Sequence, residues 1–178
     1  MSVPSLSLKY ARIERERRWL ARESPRDLPG PYEHIEDLYV AGTRLRVRRV
    51  SEPSGRVVQL KIGQKELVPG APTHTRITTL YLSEPEYALL DALPGARLSK
   101  RRHRQPQEGR LFSVDVFEGA LAGLVLIECD AATDEELAAL PAPAGAVRDV
   151  TDVAAFRGGA LASDPELGLA EARRILAG

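Results

Sequence analysis

The sequence predicts a mostly β, α+β protein: an antiparallel sheet or barrel with helices outside it. Three observations carry this. Seven stretches alternate apolar and polar residues with a period of two. Short connectors rich in Gly and Pro, "SEPSG", "VPGAP" and "QPQEG", separate many of them. Helical signals are confined to a few short, well-capped segments and the C-terminal end.

The first strand is read over 12–20, where "IERERRWL" puts Glu14, Glu16 and Arg18 on one face. Arg15 and Arg17 share the other face with Ile13 and Trp19, and no functional role is assigned to them. "SPRDLPGP" follows as a loop. A strand over 38–49 contains "TRLRVRRV": Arg44, Arg46 and Arg48 share a face, with Leu45 and Val47 behind. In the strand over 56–62, Gln59 and Lys61 oppose Val58, Leu60 and Ile62. A fourth strand covers 75–82. The helix over 83–93 has Ser83 as N-cap and Glu86 at the capping-box position. Strands over 97–104 and 111–117 follow, with Lys100, Arg102 and Arg104 aligned in the former. The strand over 123–130 aligns Glu128 with Asp130, backed by Val125, Ile127 and Cys129. Thr133 and Glu136 open a second helix over 133–140. Helical turns are expected within 152–162, and a final helix over 163–177.

The totals exclude several functions. At 178 residues the chain fits a single domain, 1–178, with its core over about 12–162. Twenty-five basic residues balance 25 acidic ones, so no global field draws the chain to nucleic acid or membrane. Aromatic content is 5%, with none in "TRLRVRR", which argues against an RNA-stacking sheet. One cysteine excludes an internal disulfide and a thiolate metal cluster. No apolar run suits a signal peptide or a membrane span, so a cytoplasmic protein is expected. Partners are then a small molecule and, compatibly, a second copy in a homodimer.

Charge on the strands is segregated by sign. The 44–48 and 100–104 faces are basic; the 128–130 face is acidic. Like charges two residues apart repel, so a free sheet gains nothing from this pattern. A solvated face is the plain reading of any one strand. A multivalent ligand accounts for the set. Basic groups converge on phosphate oxygens, and paired carboxylates suit Mg²⁺ or Mn²⁺. In a barrel, the charged faces would line a wet lumen and the apolar faces would lie under helices.

With these motifs in order, "ERERR", "RLRVR", "LKIG", "LSKRRH", "LFSVDVFEG", "GLVLIECD" and "RDVTDVAAFRGGALA", the chain resembles the CYTH domain family of triphosphate tunnel metalloenzymes. The resemblance implies an eight-stranded antiparallel tunnel and metal-dependent hydrolysis of triphosphates, inorganic tripolyphosphate or a small organic one. It implies Glu14, Glu16 and Glu128 as catalytic carboxylates and Glu14, Glu16, Glu128 and Asp130 as metal ligands. Arg18, Arg44, Arg46, Arg48, Lys61, Lys100 and Arg102 would hold phosphates, with either Arg44–Arg46 or Arg46–Arg48 in register. Asp115 would support them.

The chain departs from the family pattern: Arg18 stands in place of a lysine in the opening signature, and Asp130 is one methylene shorter than the family's glutamate. Members often carry an acidic pair on the fourth strand, where this chain has "RITTLYL". His103 stands where a tyrosine is common. The alternatives are a module that binds a triphosphate, polyphosphate or nucleotide without cleaving it, and a class IV-type adenylate cyclase. His34, His74 and His103 are read as surface or core residues, Cys129 as a small hydrophobe, and Trp19 as core under a helix. Lys65, Arg97, Arg101, Arg173 and Arg174 are read as solvated.

Overall fold

A computed structural model describes residues 9–23, 28 and 30–178. The "SPRDLPGP" loop lies largely outside them. Nine strands form: β1 (Arg12–Ala21), β2 (Glu33–Val40), β3 (Leu45–Ser51), β4 (Val57–Val68), β5 (Ala71–Tyr81), β6 (Gly95–Gln107), β7 (Arg110–Phe117), β8 (Val125–Ala131) and β9 (Ala146–Asp149). The helices are α1 (Glu84–Asp91), α2 (Asp134–Ala138), α3 (Gly158–Ser163) and α4 (Pro165–Ala177). Neighbours run β5-β4-β3-β2-β6-β7-β8-β1, all antiparallel. Pairing of β1 with β5 closes the ring, with Glu14 opposite Thr75. The result is the predicted eight-stranded barrel with a C-terminal helix. Strand β9 adds to β1 beyond that closure, with Trp19 opposite Asp149.

The sequence reading needs four corrections here. The 38–49 stretch is not one strand but the β2–β3 hairpin. Gly42 takes a left-handed φ of 69°. The Thr43 hydroxyl donates to the Val40 carbonyl at 2.9 Å and accepts from the Leu45 amide at 3.0 Å, so the turn is tight. The "QPQEG" connector is mostly strand: β6 runs to Gln107, and the turn is Glu108–Gly109 alone, with φ of 51° and 73°. Positive φ at both central residues is the geometry that matches strand twist in a two-residue hairpin. Strands β4 and β5 extend past 56–62 and 75–82 to the Pro69–Gly70 turn, and β9 was not foreseen. The final helix forms as read, as α4, with Asp164 as its cap: the Asp164 carboxylate accepts from the Leu167 amide at 3.0 Å. The other two caps form as read: Glu86 accepts from the Ser83 amide at 2.7 Å, and Thr133 from the Glu136 amide at 3.2 Å.

Apolar side chains go where alternation sends them. On the outer face of β1, β7 and β8, Trp19, Phe112, Val114 and Ile127 pack under Leu137 of α2. Trp19 meets Phe112 edge to face, ring centroids 6.1 Å apart. Outside β2 and β3, Leu38 and Val47 pack under Tyr87 and Leu90 of α1. Arg15 and Arg17 fasten this outer layer. Arg15 pairs with Asp134 at the start of α2, and Arg17 pairs with Asp149 of β9 at 2.6 Å. Arg17 also donates to the Leu140 carbonyl at 2.8 Å and lies over the Trp19 ring.

A third apolar cluster lies at one end of the barrel. Leu20, Leu98, Phe117 and Leu126 meet Phe156 and Leu161, with α4 behind them. Glycine is required at 95, because a Cβ there would lie 2.2 Å from the Tyr39 carbonyl oxygen of the neighbouring strand. Among the described residues, no helix is long and apolar enough to cross a membrane.

Candidate active site

The barrel encloses a cavity of about 480 Å³. Leu98, Phe117, Leu126, Phe156 and Leu161 form its apolar end. The rest is charged: ten basic side chains line it against five acidic ones. The predicted residues Glu14, Glu16, Arg18, Arg44, Arg46, Arg48, Lys61, Lys100, Arg102, Glu128 and Asp130 all line this space. Asp115 is fully buried and bonded to two of them.

Three ion-pair networks organise the cavity. The longest crosses β6, β7, β8 and β1. Asp115 holds Lys100, and holds Arg102 through two bonds of 2.6 Å. Arg102 reaches Glu128 at 2.6 Å. The other Glu128 oxygen accepts from Arg18 at 2.8 Å, and Arg18 reaches Glu16 at 2.6 Å. These contacts follow from register, since Arg102 lies opposite Asp115, Arg18 opposite Glu128, and Glu16 opposite Asp130.

In the second network Asp37 takes Arg48 through two bonds of 2.6 Å, with Arg46 Nε 3.7 Å away. Arg46 and Arg48 therefore share one carboxylate. Arg44 lines the cavity but is held by Glu66 at 3.0 Å. Asp37 is the site residue that the sequence reading missed. The signal was present as Ile35, Asp37 and Tyr39 at a period of two, but it belonged to a strand that had been read as starting at 38. The third network joins Glu14 to Lys65. Lys65 is thus not a solvated surface residue; it faces the cavity from β4.

The cavity's charge is not evenly matched. Burial, then the Glu128 charge, pushes the Glu16 carboxyl up to about 7. Arg18 is shared with Glu128 and does not offset both. Burial, then Glu14 and Glu128, raises Asp130 as well. Burial would raise Asp37 and Glu128 too, but the guanidinium of Arg48 for one and of Arg18 for the other holds each well below the ordinary carboxylate range. On the basic side, burial, then Arg48 and Arg46, pushes Lys61 down to about 8. Its ammonium has only the Gln59 amide oxygen, at 3.0 Å. Nε of Arg46 is buried with no hydrogen-bond partner.

The histidines lie away from this chemistry. His34 contacts Glu118, His74 contacts Asp134, and His103 stacks near Tyr32 on the outer face. Cys129 is packed in the outer apolar layer, as read.

For a metal, the donor set is the test. Among the described residues, no three carboxylate, His or Cys side chains are gathered as a ready metal site. The four predicted carboxylates do lie on the adjacent strands β1 and β8, with Glu16 directly opposite Asp130. Both are oxygen donors whose ionisation is opposed by neighbouring acids. That chemistry fits a hard divalent cation, which would relieve the repulsion. Both Glu128 oxygens are engaged by arginines, so its share in such a site requires Arg18 or Arg102 to turn to phosphate.

No protein-family model matches the chain, and no curated protein does. Solved structures do. The inorganic triphosphatase NE1496 superposes with a TM-score of 0.55 at 20% identity, over 84% of this chain and 93% of that one. A Bacillus halodurans protein described as a candidate adenylate cyclase, bh2851, gives 0.51 at 15% identity, over 72% of this chain and 86% of that one. The chain has the fold of the CYTH, or triphosphate tunnel metalloenzyme, family.

Proposed function

We propose that the chain is a metal-dependent hydrolase of triphosphates, acting on inorganic tripolyphosphate or a small organic triphosphate held in the barrel. One observation carries this reading: half-buried lumen cations whose hydrogen bonds are unfilled, Arg46 Nε with no hydrogen-bond partner and only a loose ion pair to Asp37, and Lys61 with only an amide oxygen. Buried donors left unsatisfied are costly, so a ligand that fills them binds well. An acceptor of several negative charges is what the excess of cations fits.

Arg46, Arg48 and Lys61 from one side and Lys100 and Arg102 from the other then grip phosphate oxygens. Arg44 and Arg18 lie beside them. Glu14, Glu16, Glu128 and Asp130 are the carboxylates that would hold Mg²⁺ or Mn²⁺. A bound divalent ion supplies charge neutralisation at the phosphoryl oxygens and a lowered pKa for a coordinated water. The fold similarity to an inorganic triphosphatase supports the reading.

Phosphate release from tripolyphosphate, measured with Mg²⁺ and then with Mn²⁺, tests it. No release with either metal, alongside tight calorimetric binding, would favour a binding module. The feature that favours this second reading is β5, which faces the cavity with Thr73, Thr75, Ile77 and Thr79 and no acid.

Binding should also be linked to protons through Lys61. Free Lys61 loses its proton near pH 8, because burial and the Arg48 and Arg46 charges disfavour the ammonium. A polyanion beside it favours the ammonium and raises that value. Binding at about pH 8.5 is therefore expected to take up close to one proton, and affinity to weaken as pH rises further. Calorimetry in two buffers of different ionisation enthalpy measures the uptake. It should vanish in K61M; unchanged uptake there would remove Lys61 from the phosphate site.

A further inference from the structure

We infer that Lys61 is a carbamylation site: dissolved carbon dioxide adds to its amine, and the carbamate sits in the arginine clamp that a triphosphate would otherwise fill. The modification stands apart from the hydrolase reading above; its competition with a triphosphate rests on that reading. Among the described residues three lysines line the lumen, and two are matched to carboxylates, Lys65 to Glu14 and Lys100 to Asp115. Lys61 is not. Its Nζ donates to the Gln59 amide oxygen at 3.0 Å. Directly opposite it stand Arg48 on β3 and Tyr81 on β5. The next lumen position on β4 is Gly63, opposite Arg46, so no β4 side chain stands between Lys61 and that guanidinium.

This corner of the cavity is short of acceptors. Its carboxylate is Asp37, and Arg48 occupies both oxygens through Nε and Nη2. Nη1 of Arg48 takes part in neither bond. Arg46 Nε stays 3.7 Å from Asp37 and is buried without a hydrogen bond. A carboxylate carried on Lys61 brings two oxygens into the corner where these donors lack partners.

Carbamylation needs a free amine as reactant and makes an anion as product. The same surroundings favour both. Burial, then Arg48 and Arg46, brings Lys61 down to about 8; Arg102 of β6 adds to this and Asp37 of β2 opposes it. From β5 the titratable side chain opposite is Tyr81. The amine lone pair attacks the carbon of CO₂. An N–C bond forms, one C=O pair moves onto oxygen, and the nitrogen gives a proton to water. The cationic field that disfavours the ammonium then favours the carbamate. Reprotonation of the nitrogen releases CO₂, so occupancy follows dissolved CO₂ and pH. While the carbamate persists, one cation of the clamp is an anion, and a triphosphate is repelled.

¹³C NMR in ¹³C-labelled bicarbonate at about pH 8, where the amine is roughly half free, reads the adduct directly. Wild type should give a carbamate resonance that K61R and K61M both lack; a signal from the N-terminal amine stays in all three. Arginine keeps the charge without the nucleophilic amine, so K61R also isolates the competition. Bicarbonate added at constant pH and ionic strength should weaken tripolyphosphate binding to wild type by about threefold or more in calorimetry, and leave K61R unchanged. A wild-type spectrum identical to that of K61R would overturn the inference and leave the hydrolase reading standing. An equal loss of affinity in wild type and K61R would make bicarbonate a simple occupant of the cavity and overturn the competition. No binding of tripolyphosphate to wild type would overturn the hydrolase reading, while the resonance still decides the modification.

Discussion

Replacing Asp115 by alanine is expected to cost about 3–5 kcal/mol of folding stability, the scale of breaking a buried ion pair by removing one partner. Asp115 is fully buried and is shared by Lys100 and Arg102. Arg102 keeps Glu128, so most of the loss falls on Lys100, which is itself buried and would retain only the Phe117 ring at 5.3 Å and the more distant Glu128 charge. For a chain of this length that loss is roughly 10 °C or more in Tm. The direction with pH is fixed by linkage. Burial already lowers Lys100 below its ordinary 10.5. Without Asp115 it falls further, so the unfolded chain binds the proton better and stability rises with pH toward about 10.5. Tripolyphosphate should raise the Tm of the variant more than that of wild type, since it restores negative charge beside Lys100. Thermal denaturation of D115A across pH, with and without tripolyphosphate, measures all three effects. A Tm within about 2 °C of wild type at neutral pH would mean that Asp115 does not hold the cavity together.

That prediction depends on a contact the sequence could not place. Alternation told which residues share a face, and Glu14, Glu16, Arg18, Arg46, Arg48, Lys61, Lys100, Arg102 and Glu128 all do line the lumen. A period of two is local chemistry, and it survives in the fold. Which acid meets which base is decided by strand neighbours and register, and these are global. Glu128 meets Arg102 across β7 on a diagonal, since Arg102 lies opposite Asp115 while Glu128 lies opposite Ser113 two residues along. Lys65 looked solvated because nothing nearby in sequence marks a partner 51 residues away across another strand. Asp37 was hidden for a different reason. The β2–β3 hairpin keeps its alternation through a tight turn, so two strands read as one and the start of β2 was lost. The apolar end of the cavity was also illegible, since Leu98 and Leu126 look like any core position until Phe156 and Leu161 close over them.

Glu16→Gln separates chemistry from stability more sharply than any other change in the barrel. Glu16 already favours its neutral form up to about pH 7, because burial and the Glu128 charge oppose ionisation. A raised acid contributes stability below its unfolded pKa of 4.5, and that contribution is lost as pH rises through about 7. Glutamine, neutral and of nearly the same shape, does not incur that loss. E16Q should therefore melt no lower than wild type at about pH 8, and its stability should fall less between pH 4.5 and 7. Activity should move the other way. With its charge gone, the side chain opposite Asp130 can no longer hold a divalent ion. Metal-stimulated turnover of tripolyphosphate should drop by about 100-fold or more, the scale of losing an electrostatic group that acts in the transition state. KM should change little, because Arg46, Arg48, Lys61, Lys100 and Arg102 keep their partners and Arg18 keeps Glu128. E128Q is the informative contrast. Glu128 bridges Arg18 and Arg102, so its neutralisation should lower Tm as well as turnover. A metal-stimulated rate in E16Q equal to wild type would remove Glu16 from the reaction. A Tm loss in E16Q as large as in E128Q would make its role structural, because only Glu128 is held between two buried arginines.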